Sequence, residues 1–246
     1  MIHAGIDIGS RTIKLVVLEN QSVTKQMVKL NTHDPISVCK KMLDGVSYDS
    51  LVATGYGRHL FANYWDCNVI TEIKAVSIGC RNIFPECKSI LDIGGQDTKA
   101  VALDNNGKIR KFDMNDKCAA GTGKFLEVVS TALGFNMQDF IENAENSTES
   151  VTINSMCTVF AESEIISMVA RGVDRGSLAS GLHESIAKKC SAMLERIAIS
   201  DQLVFCGGVA HNRYLKTLLE KRLNKNIHIP ENPQTVAAYG CALHGE

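Results

Sequence analysis

Two segments of the chain each place an aspartate and a glycine between two stretches that alternate like β-strands. They are residues 5–18, which read GIDIGSRTIKLVVL, and residues 90–103, which read ILDIGGQDTKAVAL. Glycine lets the backbone approach phosphate oxygens, and the N–H and hydroxyl groups of a polar turn can donate to them. One such segment fits a plain hairpin equally well, since aspartate and glycine are common turn residues. Two in one chain favour facing turns that clamp a polyphosphate and its metal between two lobes.

A third glycine pair, Gly207 and Gly208, follows an apolar strand and precedes a segment with helical spacing. Glycine there would let a flat adenine lie against the backbone. Between the glycine turns, the sequence predicts strands at about 25–30 and 51–54, helices at about 36–43 and 71–83, and a strand pair across residues 105–107. Alternation of these elements indicates an α/β fold.

Composition narrows the classes of partner. The chain has 246 residues, 45% of them hydrophobic and 22% charged, enough for one large or two modest domains. A formal net charge of -1 with mixed signs predicts no nucleic-acid or membrane-surface partner, because either would favour a basic stripe. Asp7 and Arg11 interrupt the early apolar residues, so no signal peptide is predicted, and no apolar run approaches a membrane span. We find no internal repeat.

Cysteines supply the second chemical feature. Nine cysteines without regular spacing point to a reduced cytoplasm rather than a disulfide framework. Cys118 and Cys157 each precede a segment with helical spacing, and free N–H groups at a helix start favour the metal-binding thiolate. The alternative is simple burial at two helix starts. The remaining cysteines lack metal-site spacing and are expected to be small buried hydrophobes or packing residues.

Several polar residues are expected to be structural. Residues 142–150 are polar enough to predict a surface loop. Lys99 is compatible with a surface charge, and Glu162 and Glu164 with first-turn residues that satisfy a helix dipole. The histidines form no recognisable metal pattern.

Four further segments carry a family resemblance: residues 92–99 (DIGGQDTK), 117–123 (KCAAGTG), 160–164 (FAESE) and 206–210 (CGGVA). Together with the order of the glycine turns, they resemble the actin, heat-shock chaperone and sugar-kinase superfamily. Within it, they resemble the ATP-dependent activators of 2-hydroxyacyl-CoA dehydratases and the benzoyl-CoA reductase-type ATPases. The resemblance implies a two-lobed actin-like fold with ribonuclease H-like lobes and a nucleotide cleft between them. The implied first lobe is residues 1–88 completed by residues 233–246, and the second is residues 89–232, which carry both cluster cysteines.

That resemblance also implies a function. Family members use ATP binding and hydrolysis to deliver low-potential electrons, one at a time, from a 4Fe-4S cluster on the twofold axis of a homodimer. Cys118 and Cys157 are the matching positions, two thiolates from each chain. The implied acceptor is a partner iron-sulfur enzyme: a 2-hydroxyacyl-CoA dehydratase, an aromatic-CoA reductase or a double-cubane-cluster protein. The implied electron donor is a ferredoxin or flavodoxin.

By the same resemblance, Asp7 and Asp92 would hold Mg²⁺ directly or through water, and Gln96 would orient the attacking water near the terminal phosphate. A glutamine is no strong base, so slow, gated hydrolysis is expected, with Gln96 and Asp92 as the catalytic residues. The residues assigned to ATP or ADP are Asp7, Gly9, Ser10, Arg11, Thr12, Ile13, Lys14, Gly94, Gly95, Gln96, Gly207, Gly208, Val209 and Gln234.

Two other functions remain open from the sequence. A small-molecule kinase of the same fold, acting on an amino sugar, would need a carboxylate base in an acceptor pocket, and none is obvious at the expected strand ends. A nucleotide-dependent structural or chaperone-like protein would lack iron. The iron content of the protein would distinguish both of these alternatives from an activator.

Overall fold

The computed structural model describes residues 1–153 and 158–245 and contains two five-stranded mixed sheets. The first sheet has the order β3-β2-β1-β4-β5, formed by β1 (Ile2–Ile8), β2 (Thr12–Glu19), β3 (Ser22–Leu30), β4 (Ser50–Thr54) and β5 (Asn68–Val69). The second has the order β10-β9-β6-β7-β8, formed by β6 (Ser89–Ile93), β7 (Thr98–Leu103), β8 (Ile109–Asn115), β9 (Leu203–Cys206) and β10 (Ile227–His228).

The helices connect and cover these sheets. In the described residues they are α1 (Pro35–Leu43), α2 (Arg58–Ala62), α3 (Glu72–Ile83), α4 (Gly123–Ala132), α5 (Met137–Asn146), α6 (Thr158–Ala170), α7 (Arg175–Arg196), α8 (Arg213–Leu223) and α9 (Val236–His244). Several begin at a residue whose side chain accepts a hydrogen bond from a first-turn N–H, among them Asp34, Thr71 and Asn212. Such caps satisfy backbone donors that the helix itself leaves free. The predicted helices at 36–43 and 71–83 are confirmed within a residue.

Both sheets have the same topology. Two antiparallel pairings join the three strands of each meander, and two parallel pairings add the remaining strands. Asp7 lies opposite Lys14 in the β1–β2 register, and Asp92 lies opposite Lys99 in the β6–β7 register. The fold is therefore a structural duplication, although the sequence analysis finds no internal repeat. Little more than the pattern Asp-Ile-Gly followed by Lys is common to the two halves.

Each sheet has its own hydrophobic core. Ile6, Ile13 and Leu15 of the first sheet pack with Phe61 of α2. The second sheet packs against α4, α5, α6, α7 and α8 in a larger cluster that includes Phe125, Phe140 and Phe205. Cys190 is buried there, as predicted.

A tight crossing of α3 and α9 joins the two halves. Gly79 lies against the Val236 carbonyl, and Gly240 lies against the Ala75 carbonyl, so a Cβ at either glycine would meet backbone atoms. Helix α9 also packs on β1, β2 and β4. The predicted lobe boundaries at residues 88 and 232 remain predictions.

One expectation about local structure is wrong. Residues 142–146 are the second half of α5 and not a loop. Phe140 and Ala144, one turn apart, are fully buried, and Asn136 caps the helix. These two apolar positions are enough to fix a polar-looking segment as an amphipathic helix. No helix in the described residues is long and apolar enough to cross a membrane.

Candidate functional site

The first phosphate turn lies between β1 and β2. The Gly9 N–H donates to the Thr12 carbonyl at 3.1 Å, which closes the turn and leaves Ser10 and Arg11 at its exposed tip. Lys14 Nζ donates to Asp7 Oδ2 at 2.9 Å. Strand alternation points the Thr12 and Lys14 side chains toward the cleft between the sheets.

Ile13 differs from its neighbours in this turn. Its side chain is fully buried in the core of the first sheet, because it faces away from Thr12 and Lys14 on the pleated strand. Ile13 therefore contributes backbone to the turn but does not line the cleft.

The second phosphate turn lies between β6 and β7. The Gly94 N–H donates to the Asp97 carbonyl at 2.9 Å, which places Gly95 and Gln96 at the tip. The Gly95 backbone packs against Arg11 of the first turn, so the two turns meet. Gln96 is exposed and its side chain makes no hydrogen bond to any residue that the structure describes.

The late glycine pair completes the cleft. Gly207 has a φ of 86°, a left-handed conformation that favours glycine, and a Cβ there would collide with Asp92 and Ile93. Its N–H donates to the Pro233 carbonyl at 2.9 Å. Gln234 Nε2 donates to Thr12 Oγ1 at 3.3 Å. The segment that follows Gly207 is thereby tied to the first phosphate turn.

These elements enclose a cavity of about 590 Å³. It is lined by all the residues assigned to the nucleotide from the sequence except Ile13. A cleft of this volume is in the range of small-molecule and cofactor sites. The cavity also has lining residues that the sequence reasoning missed: Glu72, Asp97, Leu126, Glu127, Met137, Ile141, His211 and Asn212.

A buried ammonium group lies in the floor of the cleft. Lys99 is 2% exposed and not a surface charge, since its Nζ lies 2.7 Å from Glu72 Oε2, 2.7 Å from Asp97 Oδ2 and 3.7 Å from Asp92 Oδ2. Burial alone would lower the pKa of Lys99, but the attraction of Asp92, Glu72 and Asp97 raises it above its ordinary value. Burial raises the pKa of Asp92 and of Glu72, and the Lys99 charge opposes both shifts. Lys99 is therefore protonated.

A buried hydrogen-bonded pair, His183 and Asn212, supports the part of the cleft that Asn212 lines. His183 Nδ1 donates to the Ala179 carbonyl at 2.7 Å, which leaves its Nε2 to accept from Asn212 Nδ2 at 2.9 Å. Burial lowers the pKa of His183 to about 4. The ring is neutral at pH 7 and fixes the orientation of the Asn212 amide. Only the Asn-capped start of α8 hinted at this pair in the sequence.

An ion pair crosses the cleft near its mouth. The Arg11 guanidinium contacts both carboxylate oxygens of Glu127 on α4, at 3.1 Å each. Both side chains are partly exposed, so this pair contributes little to stability. It joins the first phosphate turn to the helix that follows the Cys118 loop.

The Cys118 loop is attached to the second phosphate turn. The N–H groups of Gly123 and Lys124 donate to the carbonyls of Gly94 and Gly95 at 3.0 and 2.8 Å. Thr98 Oγ1 donates to the Gly121 carbonyl at 2.9 Å. The second phosphate turn and the Cys118 loop are therefore joined through the start of α4 and through Thr98.

Cys118 itself is exposed, and its carbonyl accepts from Asn115 Nδ2 at 2.8 Å. Helix α4 begins at Gly123, so Cys118 lies in the loop before the helix and not at the helix start as predicted. Gly121, with a φ of 87°, breaks the chain direction between the two. Cys157 lies outside the described residues.

Among the described residues, no group of three or more histidine, cysteine or carboxylate side chains is arranged to hold a metal ion. Glu72, Asp92 and Asp97 surround Lys99 instead, and Asp7 is bonded to Lys14. Cys118 is the one exposed thiol among the described residues, whereas an iron-sulfur cubane takes four thiolates.

Two facing phosphate turns, a late glycine turn and a cleft between duplicated sheets define an actin-like ATPase. Residues 4–245 match the BadF/BadG/BcrA/BcrD ATPase family, and the chain belongs to it. It is 38% identical to the 2-hydroxyisocaproyl-CoA dehydratase activator of Clostridioides difficile, over 99% of this chain and 94% of that protein. It is 35% identical to the (R)-2-hydroxyglutaryl-CoA dehydratase activating ATPase of Acidaminococcus fermentans, over 98% of this chain and 95% of that protein.

A solved structure agrees with this assignment. The activator of the 2-hydroxyisocaproyl-CoA dehydratase from Clostridium difficile with bound ADPNP superposes with a TM-score of 0.90 at 37% identity. The match covers 100% of this chain and 94% of that one. The fold and family expected from the sequence are confirmed.

Proposed function

We propose that this protein is an ATP-dependent activator that delivers low-potential electrons, one at a time, to a partner iron-sulfur enzyme. The observation that carries the proposal is the hydrogen bonding that ties the Gly94–Gly95 phosphate turn to the first residues of α4, and Thr98 of β7 to Gly121 in the loop that holds Cys118. A nucleotide that moves this turn would move the thiol loop with it. Relatives of nearly equal length are named dehydratase activators.

Different residues of the cleft would contact different parts of ATP. Lys14 and the donors of the Ser10–Thr12 turn would hold phosphate oxygens, and Gly207 to Val209 would line the adenosine. Asp7 and Asp92 would hold Mg²⁺ directly or through water, since Mg²⁺ takes oxygen ligands and keeps several waters. Gln96 would orient water at the terminal phosphate, and the absence of a stronger base from that position makes hydrolysis slow.

Cys118 and Cys157 would hold the 4Fe-4S cluster, two thiolates from each chain of a homodimer. When bound, such a cluster supplies one-electron transfer at a potential that its hydrogen bonds and exposure to solvent can adjust. The chain's own contribution is to fix the Cys118 loop through Asn115, Thr98 and α4. A twofold axis provides the four thiolates that one chain lacks.

Helix α6 offers a surface for the second copy. Phe160 is 67% exposed and Ile166 is 54% exposed, six positions apart on the same helix. Two large apolar side chains exposed on one short helix fit an interaction surface. The helix begins directly after Cys157, so an α6 contact between two chains would bring their cysteines together.

The remaining partners follow from this function. The acceptor would be a 2-hydroxyacyl-CoA dehydratase, an aromatic-CoA reductase or a double-cubane-cluster protein, and the donor a ferredoxin or flavodoxin. Unpaired cysteines throughout the described residues suit the reducing cytoplasm.

The Cys118→Ala variant tests the proposal. Under anaerobic purification and iron reconstitution, the variant should lose its iron and keep its affinity for ADP, measured by calorimetry. Cys67→Ala, which removes a half-buried thiol outside the cleft, is the matched control and should keep both. If Cys118→Ala binds as much iron as the wild type, Cys118 is not a cluster ligand and the proposal fails.

A further inference from the structure

Asp92 is a partly buried carboxylate, its side chain 14% exposed, without a close partner. Its nearest cation, Lys99 Nζ, lies 3.7 Å away, beyond hydrogen-bond distance, and its side chain makes no hydrogen bond within residues 1–153 and 158–245. The ammonium instead lies 2.7 Å from Glu72 and 2.7 Å from Asp97. Both contacts are 1 Å shorter than the Lys99–Asp92 separation.

The duplicated fold provides an internal comparison. Asp7 and Lys14 occupy the same paired register in the first sheet as Asp92 and Lys99 in the second. There the lysine bonds its own aspartate, at 2.9 Å. Thr12 stands where the second half has Asp97, and its hydroxyl accepts from Gln234 instead of holding a lysine. The extra carboxylates account for the different positions of the two ammonium groups.

Glu72 reaches this lysine from another element. It is the first residue of α3, whose Ala75 packs with the first-sheet residue Val52 and whose Val76 packs with Ile90 of the second sheet. Thr71 caps the helix and fixes its start. The Glu72–Lys99 contact therefore depends on the relative position of α3 and the second phosphate turn.

We propose that Glu72 and Asp97 are positioning residues that draw Lys99 away from Asp92 and keep that carboxylate open for the divalent cation that accompanies the nucleotide. The inference rests on the proposed Mg²⁺–nucleotide site. Four carboxylates and two ammonium groups line the cleft floor, leaving an excess of negative charge suited to a divalent cation. Without Glu72 or Asp97, Lys99 would bond Asp92 as Lys14 bonds Asp7.

Binding of Mn²⁺ to the ADP complex, measured from the electron paramagnetic resonance signal of free Mn²⁺, tests the proposal. Glu72→Gln and Asp97→Asn should each weaken Mn²⁺ binding about 10- to 100-fold, the usual effect of losing a group that orients a metal ligand. Adding Lys99→Met to either variant should restore most of the affinity, because the competing ammonium is then gone. A purely structural role gives no such rescue.

The Glu127→Gln variant distinguishes the positioning of Lys99 from the simple loss of a negative charge in the cleft. Glu127 lines the same cleft but contacts Arg11 and Lys124, not Lys99. Its loss should change Mn²⁺ affinity by less than about threefold, since a partly exposed charge is well screened. If Glu72→Gln and Asp97→Asn do no more than Glu127→Gln, the proposal is overturned.

A crystal structure of Glu72→Gln gives the second readout. The Lys99 Nζ to Asp92 Oδ2 separation should shorten from 3.7 Å to hydrogen-bond distance. An unchanged separation also contradicts the proposal. Should Glu72→Gln fail to fold, Asp97→Asn carries the same two expectations.

The test is independent of the proposed electron transfer. If the protein held no iron yet bound ATP, the Mn²⁺ titrations would still report on Asp92. If wild type hydrolysed ATP and held a cluster but the variants bound Mn²⁺ normally, only the positioning inference would fail.

Discussion

At the scale of single residues, the cleft contains two kinds of charged group: those that would bind the nucleotide and those that hold other side chains in position. Lys14 is bonded to one carboxylate and remains partly open to the cleft, whereas Lys99 is enclosed by three. Gln96 stands at the exposed tip of its turn with no partner in the described residues. Its freedom suits a side chain that engages water only when a nucleotide is present.

Replacing Gln96 with alanine tests its role directly. The Gln96→Ala variant should hydrolyse ATP on the order of 10²-fold more slowly, because the attacking water loses its orienting group. Affinity for ADP should be unchanged, since no stabilising contact is lost. Single-turnover hydrolysis and calorimetry measure the two quantities. Wild-type hydrolysis in the variant would remove Gln96 from the mechanism.

His183 predicts a pH dependence of stability. Its pKa is lowered to about 4 in the folded chain, against an ordinary 6.5, because burial disfavours the charged ring. Between these values the unfolded chain binds a proton that the folded chain does not. The His183 contribution to the free energy of unfolding is therefore fully present above pH 6.5. It is lost as the pH falls toward 4, and the loss amounts to up to about 3 kcal/mol.

Urea unfolding across this pH range measures the effect. The His183→Phe variant should be less stable at pH 7, where Asn212 loses its partner, but its stability should fall less steeply between pH 6.5 and 4. His59→Gln, at an exposed position, should keep the wild-type slope. Equal slopes in the wild type and His183→Phe would show that His183 does not titrate in this window.

Residues that act through local chemistry were predictable from the sequence, and those that act through distant contacts were not. The aspartates, glycines and Gln96 belong to short motifs whose chemistry is local. Glu72 is 27 positions from Lys99, and only the fold brings the two side chains to 2.7 Å. The sequence motif did not predict that the Ile13 side chain faces the core, because a motif names consecutive residues, whereas a strand points alternate ones to opposite faces.

At the scale of secondary-structure elements, the crossing of α3 and α9 holds the halves together. The two helices meet at Gly79 and Gly240, where each glycine lies against a carbonyl of the other helix. The crossing lies on the same helix as Glu72, whose start is capped by Thr71. Local periodicity predicted α3, but the crossing depends on a pairing that no local pattern encodes.

Gly240→Ala tests the crossing. The added methyl would meet the Ala75 carbonyl, so the variant should lose about 1–3 kcal/mol of unfolding free energy, the usual cost of overpacking. Thermal and urea unfolding measure it. Stability equal to wild type would mean that the helices separate freely at this point.

Gly208→Ala is the matched control. A Cβ at Gly208 would find no protein atom nearer than Gln234 Nε2 at 3.7 Å, so stability should be retained. Affinity for ATP should nevertheless fall roughly tenfold, about 1.4 kcal/mol, if the adenosine lies against this backbone. Unchanged ATP affinity would remove Gly208 from the adenosine site.

At the scale of the whole molecule, duplicated sheets place two similar turns on either side of one cleft. Arg11 and Glu127 bridge the cleft, and the second turn is bonded to the Cys118 loop. A nucleotide that binds two lobe arrangements with different affinity would therefore shift the thiol loop as well. The proposed contact of α6 with a second copy of the chain would extend this connection to the dimer.

The most direct test of this account is the iron and acid-labile sulfide content of anaerobically purified protein, with its mass in solution and its electron paramagnetic resonance spectrum after reduction. We expect a dimer with about four irons and four sulfides per two chains, and a reduced-cluster signal that ATP alters. Protein that binds ATP but stays free of iron after reconstitution would contradict the activator function.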